Sequence, residues 1–163
     1  MASFQDFEDV FEFDPDVSYD QKMVGTIEKN RKDLEGLFID KVLKLVLKVN
    51  RRKLFTLSVY ELCWFRKAAK VYPPKSNADL RALHQSIVGG NAADHHKLSV
   101  LYYILLDCGE LSHSGSDLSD SLEEKYHLPK KYQIMMQGLW HMDNLRFEVL
   151  ILNFVQLLHA NLA

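Results

Sequence analysis

Apolar residues recur along this chain at the three- and four-residue intervals of helices, separated by polar, Gly and Pro breaks. Leu98 to Asp107 has eight apolar or aromatic side chains in ten positions, which predicts a buried central helix over 95–108. Asp94 is its expected cap, and Gly109 its expected left-handed end. Upstream, 19–31 reads as a helix with Met23 and Ile27 on one face and Gly25 as a weak point. The next, 34–48, sets Leu34, Phe38, Val42, Leu45 and Val49 on one face and Lys41, Lys44 and Lys48 in a solvent stripe. Over 54–71, Leu57, Tyr60, Trp64, Ala68 and Val71 form a periodic run long enough to favour helix over a short strand near 54–60, and Pro73-Pro74 ends it. Ser76 or Asn77 then caps a helix bearing Leu80, Leu83, His84 and Ile87, closed by Gly89-Gly90. Residues 109–121, rich in Ser, Gly and Asp, read as a mobile loop, with a capping box at Ser121-x-x-Glu124. Pro129 opens a helix carrying Tyr132, Met135, Met136, Leu139 and Trp140. The last helix, 144–159, is apolar on every side and must be buried or paired. The sum is an all-α protein, a multi-helix antiparallel bundle of about seven helices.

Residues 1–19 break the pattern. Phe4, Phe7, Val10, Phe11 and Phe13 alternate with acids there, which predicts an extended acidic aromatic arm lying across the body of the protein. Residues 20–163 then form a single helical domain, since 163 residues bury a sufficient core without disulfide or metal. Cys63 and Cys108 sit in apolar stretches, as small hydrophobes in a reducing compartment do. No stretch approaches the roughly 18 uninterrupted apolar residues of a membrane span, and the acidic start lacks the features of a signal peptide. The expectation is a soluble intracellular protein without membrane insertion.

A net charge of −2 conceals a segregation. Residues 1–20 carry seven acids and no Lys or Arg, whereas 41–75 carry ten Lys or Arg against Glu61 alone. Lys41, Lys44, Lys48, Arg51 and Arg52 are therefore candidate contacts for phosphates or an acidic protein surface, and a nucleic-acid-binding helical module is the alternative function. No reading motif accompanies them, and charge runs are commonly solvated faces, so nucleic acid ranks second. A metal site on His84, Asp94, His95 and His96 lacks ligand spacing, because adjacent helical residues point about 100° apart. Gly89-Gly90-Asn91 lacks the strand and the Lys-Ser/Thr of a phosphate loop. These patterns predict neither an enzyme nor a cofactor. Ser114, Ser116, Ser119 and Ser121 beside acids are candidate phosphorylation sites.

Several ordered motifs carry a likeness. They are Tyr72-Pro73-Pro74, Asp79-Leu80-Arg81-x-Leu83-His84-x-x-Ile87, His96-Lys97-x-Ser99-x-Leu101-Tyr102-Tyr103-x-Leu105-Leu106-Asp107, His127-Leu128-Pro129-x-Lys131-Tyr132 and Gly138-Leu139-Trp140-x-Met142-Asp143. Over roughly 20–148 the chain resembles the ELYS-like domain, the helical module of the nuclear-pore ELYS family and its shorter fungal members. The resemblance implies an α-solenoid-like, non-catalytic scaffold of the nuclear pore complex in the nucleus, associated with nucleoporins of the Y-shaped outer-ring complex. Arg81, Lys130, Lys131 and Asp143 are the expected exposed partner contacts, and the C-terminal helix is a candidate homodimer surface. Larger members add a β-propeller and DNA-binding AT-hook segments. This chain has no blade-like repeats and no Arg-Gly-Arg-Pro motif, and it departs from the likeness after Glu148.

Overall fold

A computed structural model of the chain describes residues 3–11, 19–47, 71–111, 122, 124–149 and 151. Among the described residues every regular element is helical and none is a strand, as the periodicity predicts. The main helices are α1 (Phe7–Val10), α2 (Gln21–Asp33), α3 (Phe38–Val46), α4 (Asn77–Val88), α5 (Asp94–Leu111) and α6 (Lys130–Asp143). Residues 124–126 and 147–149 are helical as well.

The axis is α5, in which Leu98, Val100 to Leu105 and Cys108 are all buried. Next to it α6 runs parallel: His95 lies against Tyr132, Gln137 Nε2 donates to Tyr102 Oη, and Trp140 Nε1 donates to Asp107. The two other long neighbours, α3 and α4, run the opposite way. The N-terminus of α3 meets the C-terminus of α6 at Asp143, and its C-terminal Val46 carbonyl lies against Gly90, between α4 and α5. Across the C-terminal ends of α5 and α6 lies α2, reached by Tyr19 at one end and Asn30 at the other.

Local chemistry sets the ends. Asp20 Oδ1 accepts from the Met23 N–H at 2.6 Å and opens α2. Glu35 (φ 54°) and Gly36 (φ 126°) close it, with the Gly36 N–H returned to the Arg31 carbonyl at 2.8 Å. This left-handed break changes the expected register of α3, because a periodic count begun at Leu34 does not pass through it. The helix buries Ile39, Leu43 and Val46, while Phe38 and Leu45 face solvent and Val42 is half-buried. The expected Leu34-Phe38-Val42-Leu45 face is therefore not the inward one.

Ser76 Oγ accepts from the Asp79 N–H to start α4, which buries the expected Leu80, Leu83, His84 and Ile87. At its far end Lys97 Nζ donates to the Val88 carbonyl at 2.8 Å, satisfying an acceptor that the helix cannot. In α5 the structure corrects both expected ends. The His96 and Lys97 N–H groups bond to the Ala93 carbonyl, with Asp94 already inside the first turn. Gly109 is helical, and α5 continues to Leu111 because no left-handed residue interrupts it. Pro129 stands just before α6 rather than in its first position, and Met135 is exposed, the inward set being Gln133, Met136, Trp140 and Asp143.

Residues 3–11 are not fully extended. They hold the single turn α1 against α4, with Val10 and Phe11 buried. The helix expected over 54–71, the loop serines and the end of the last helix lie outside the described residues, apart from Val71.

Candidate interaction surfaces and the network behind them

Among the described residues seven polar side chains are buried, Asp40, Asp107 and Asp143 being three of them. A buried carboxylate without donors is strongly destabilising, so each must be answered by partners. Asp107 Oδ2 accepts from Tyr19 Oη at 2.8 Å and from Tyr72 Oη at 2.6 Å, and its Oδ1 accepts from Trp140 Nε1 at 2.7 Å. One side chain of α5 thus ties the start of α2, the Tyr72-Pro73-Pro74 turn and α6. Asp143 caps a helix far away in sequence: its oxygens accept from the Phe38 and Ile39 N–H groups at 2.7 and 3.0 Å and from Tyr103 Oη at 2.8 Å. Asp40 takes a bidentate pair from Arg31, both bonds 2.9 Å, and the same guanidinium donates to the Tyr72 carbonyl at 2.8 Å.

Burial is the largest influence on the neighbouring phenols, on Asp143 and on Cys108. It pushes the phenols of Tyr19, Tyr72 and Tyr103 well above their ordinary range, with the Asp107 carboxylate adding to the shift. It also raises the Asp143 carboxyl, against the pull of two backbone N–H groups and the Tyr103 hydroxyl. The Cys108 thiol rises far above its usual value for the same reason, which leaves no reactive thiolate there.

The expected exposure of Asp143 is therefore corrected. At 3% relative exposure it is a tertiary cap, because the unpaired N–H groups that open α3 need an acceptor that Leu37 cannot supply. Arg81 is exposed on α4, with Nη1 2.7 Å from Glu8 Oε1 and its guanidinium 4.1 Å from the centre of the Phe7 ring. Lys130 and Lys131 are exposed at the start of α6, the former donating to Gln133 Oε1 and the latter lying over Tyr132. Lys41 and Lys44 are exposed on α3, Lys41 over the Phe38 ring, while Lys48, Arg51 and Arg52 lie outside the described residues. Among the described residues these sequence-predicted cations lie on three helices, Arg81 on α4, Lys41 and Lys44 one turn apart on α3, and Lys130 beside Lys131 at the start of α6.

The histidines separate likewise. His84 is buried on α4, with Nε2 donating to the Phe4 carbonyl at 3.0 Å, whereas His95 and His96 stack near Tyr132. Among the described residues no group of three or more His, Cys, Asp or Glu is placed to hold a metal ion, and no helix is long and apolar enough to cross a membrane.

Periodicity within 34–48 missed an apolar surface. Phe38, Leu45 (61% exposed) and Met135 lie in the open on α3 and α6. Because these helices are antiparallel from Asp143 and Phe38 onward, Leu45 and Met135 stand at the same level of the pair, about 11 Å from that junction. Leu145, Phe147, Val149 and Ile151 (63% exposed) follow α6 and are also exposed. The last stretch, expected to be buried or paired, is not buried at these four residues, and 152–159 lie outside the described residues.

The fold is thus a helical bundle whose buried polar groups tie its own elements together and which leaves large apolar residues on its surface. Its family is shown by comparison: the chain belongs to the ELYS family, described as nuclear pore complex assembly, whose model matches residues 36–161. A curated relative, the uncharacterized protein ely5 of Schizosaccharomyces pombe, is 34% identical over 80 residues, 49% of this chain and 24% of that protein. The match thus covers about a quarter of the relative's length. No solved structure matches.

Proposed function

We propose that this chain is a non-catalytic scaffold module of the nuclear pore complex, acting in the nucleus at the nuclear envelope and associating with nucleoporins of the Y-shaped outer-ring complex. The observation that carries the reading is the exposed apolar set Phe38, Leu45, Met135, Leu145, Phe147, Val149 and Ile151, in a bundle whose buried aspartates Asp40, Asp107 and Asp143 are engaged internally. Large apolar residues left exposed favour a protein partner, and Lys41, Lys44, Lys130 and Lys131 are exposed on the same two helices as Phe38, Leu45 and Met135.

Affinity capture of the tagged full chain with purified outer-ring subunits tests this. The expected result is stoichiometric recovery of an outer-ring nucleoporin, lost when Leu45 and Phe147 are replaced together by Glu and the melting temperature is unchanged. Recovery of none overturns the assignment. A native chain that elutes as a dimer, and as a monomer after the same substitutions, gives the apolar set to self-association instead. Salt-sensitive binding of duplex DNA that disappears on replacing Lys41 and Lys44 by Glu gives the basic segment to nucleic acid.

A further inference from the structure

Residues 3–11 form an interface that the scaffold reading does not use. Phe7 lies over the Arg81 guanidinium at 4.1 Å, and its ring meets the edge of His84 at 5.6 Å. Phe11 packs on Phe7 at 4.8 Å and on His84 at 6.0 Å. The Phe4 ring sits 6.1 Å from Tyr126, and its carbonyl accepts from His84. Glu8 pairs with Arg81 at 2.7 Å. Three aromatic rings at positions i, i+3 and i+7, with an acid at i+4, thus face a receptor made of Arg81, His84 and Tyr126.

The segment is held by its surroundings rather than by its own stability. A helix of four residues is far below the length that forms alone in water, so α1 takes its shape from the surface it covers. Its ion pair is largely solvent-exposed and worth little. What keeps it seated is its apolar contact with the body, Val10 and Phe11 being buried there, together with its covalent tether, since only seven residues separate Phe11 from Tyr19, which Asp107 fixes. The same tether disfavours exchange of the arm with a second copy of the chain.

We propose that the groove of Arg81, His84 and Tyr126 is a docking site for short acidic, aromatic segments of partner proteins, and that residues 4–11 are a copy of that ligand held in cis. The arm reports the chemistry that the groove accepts, and a partner segment of the same pattern displaces it.

The test is fluorescence anisotropy with a labelled peptide of residues 3–14, against the native full chain and against the full chain carrying Phe7→Ala and Glu8→Lys. The weakened arm is expected to raise the apparent affinity for the peptide by at least about tenfold, because the fraction of open groove rises. A further Arg81→Glu change removes binding, and a scrambled peptide does not bind. Equal affinity for the native chain and the folded double variant, no binding to either, or indifference to Arg81→Glu overturns the proposal. If the double variant does not fold, hydrogen exchange of the native chain decides: faster exchange at 4–11 under saturating peptide supports displacement, and unchanged exchange refutes it.

Discussion

Three aspartates hold the fold at the residue scale, and they differ in what their loss exposes. Asp107 answers two phenols and an indole in the interior, so Asp107→Asn turns an acceptor-only group into one that presents an amide donor to three donors. We expect a loss of about 3 kcal/mol, read as a lower urea midpoint. Tyr72→Phe, which removes one donor, should cost about 1 kcal/mol. Arg31→Lys keeps the charge but not the fork that reaches both Asp40 oxygens and the Tyr72 carbonyl, and should cost about 2 kcal/mol in the same measurement. The tyrosines add a pH signature. Tyr19, Tyr72 and Tyr103 have folded-state pKa values above the ordinary 10.0, so above pH 10 the unfolded chain releases protons that the native one retains. Their contribution to stability is fully present below that value and is lost as pH rises through it. Tyrosinate absorbance should therefore rise together with the loss of helical circular dichroism, not before it.

Sequence reading found these residues without finding their role. Tyr72, Tyr103, Asp107, Trp140 and Asp143 all lie in the motifs that carry the family likeness, yet they are the buried network rather than an outward face. Apolar periodicity counts a buried Asp as a polar position and assigns it to solvent. Only the partner, 104 or 105 positions away, reveals otherwise.

At the scale of elements, the sequence was legible where capping and punctuation are local. Ser76 with Gly89-Gly90 delimits α4, and its four inward residues follow from spacing alone. It was illegible where a backbone conformation shifts the count, as Glu35 and Gly36 do before α3. Glycine at other sites has opposite prospects. Gly25 lies within α2 and a side chain there meets nothing within 4 Å, so Gly25→Ala should stabilise by about 0.5–1 kcal/mol. At Gly90 an added Cβ would fall 2.6 Å from the Val46 carbonyl, backbone that cannot give way without parting α3 from the α4–α5 link. Gly90→Ala should destabilise by about 2 kcal/mol, and thermal melting of the pair shows the opposite signs.

The whole molecule depends on surfaces that no single helix contains. Its all-α class and its central helix follow from apolar spacing, but the apolar set on α3 and beyond α6 appears only once the register and the parallel course of α5 and α6 are fixed. The joint of the arm with the body should respond to acid. Burial lowers the pKa of His84 below 6.5, while Glu8 and Asp6 of the arm favour its charged form and Arg81 opposes it. A depressed histidine contributes stability that is present above pH 6.5 and lost as pH falls toward the folded-state value. The melting temperature should decline below pH 6.5, and His84→Gln should flatten that decline.

The Asp143 cap has a consequence for how the chain is made. During synthesis the opening N–H groups of α3 leave the ribosome about a hundred residues ahead of the carboxylate that satisfies them, so a nascent chain halted before that point carries an incomplete frame. The domain should lock late and all at once, and a product ended at 142 should retain helix while staying expanded and binding hydrophobic dyes.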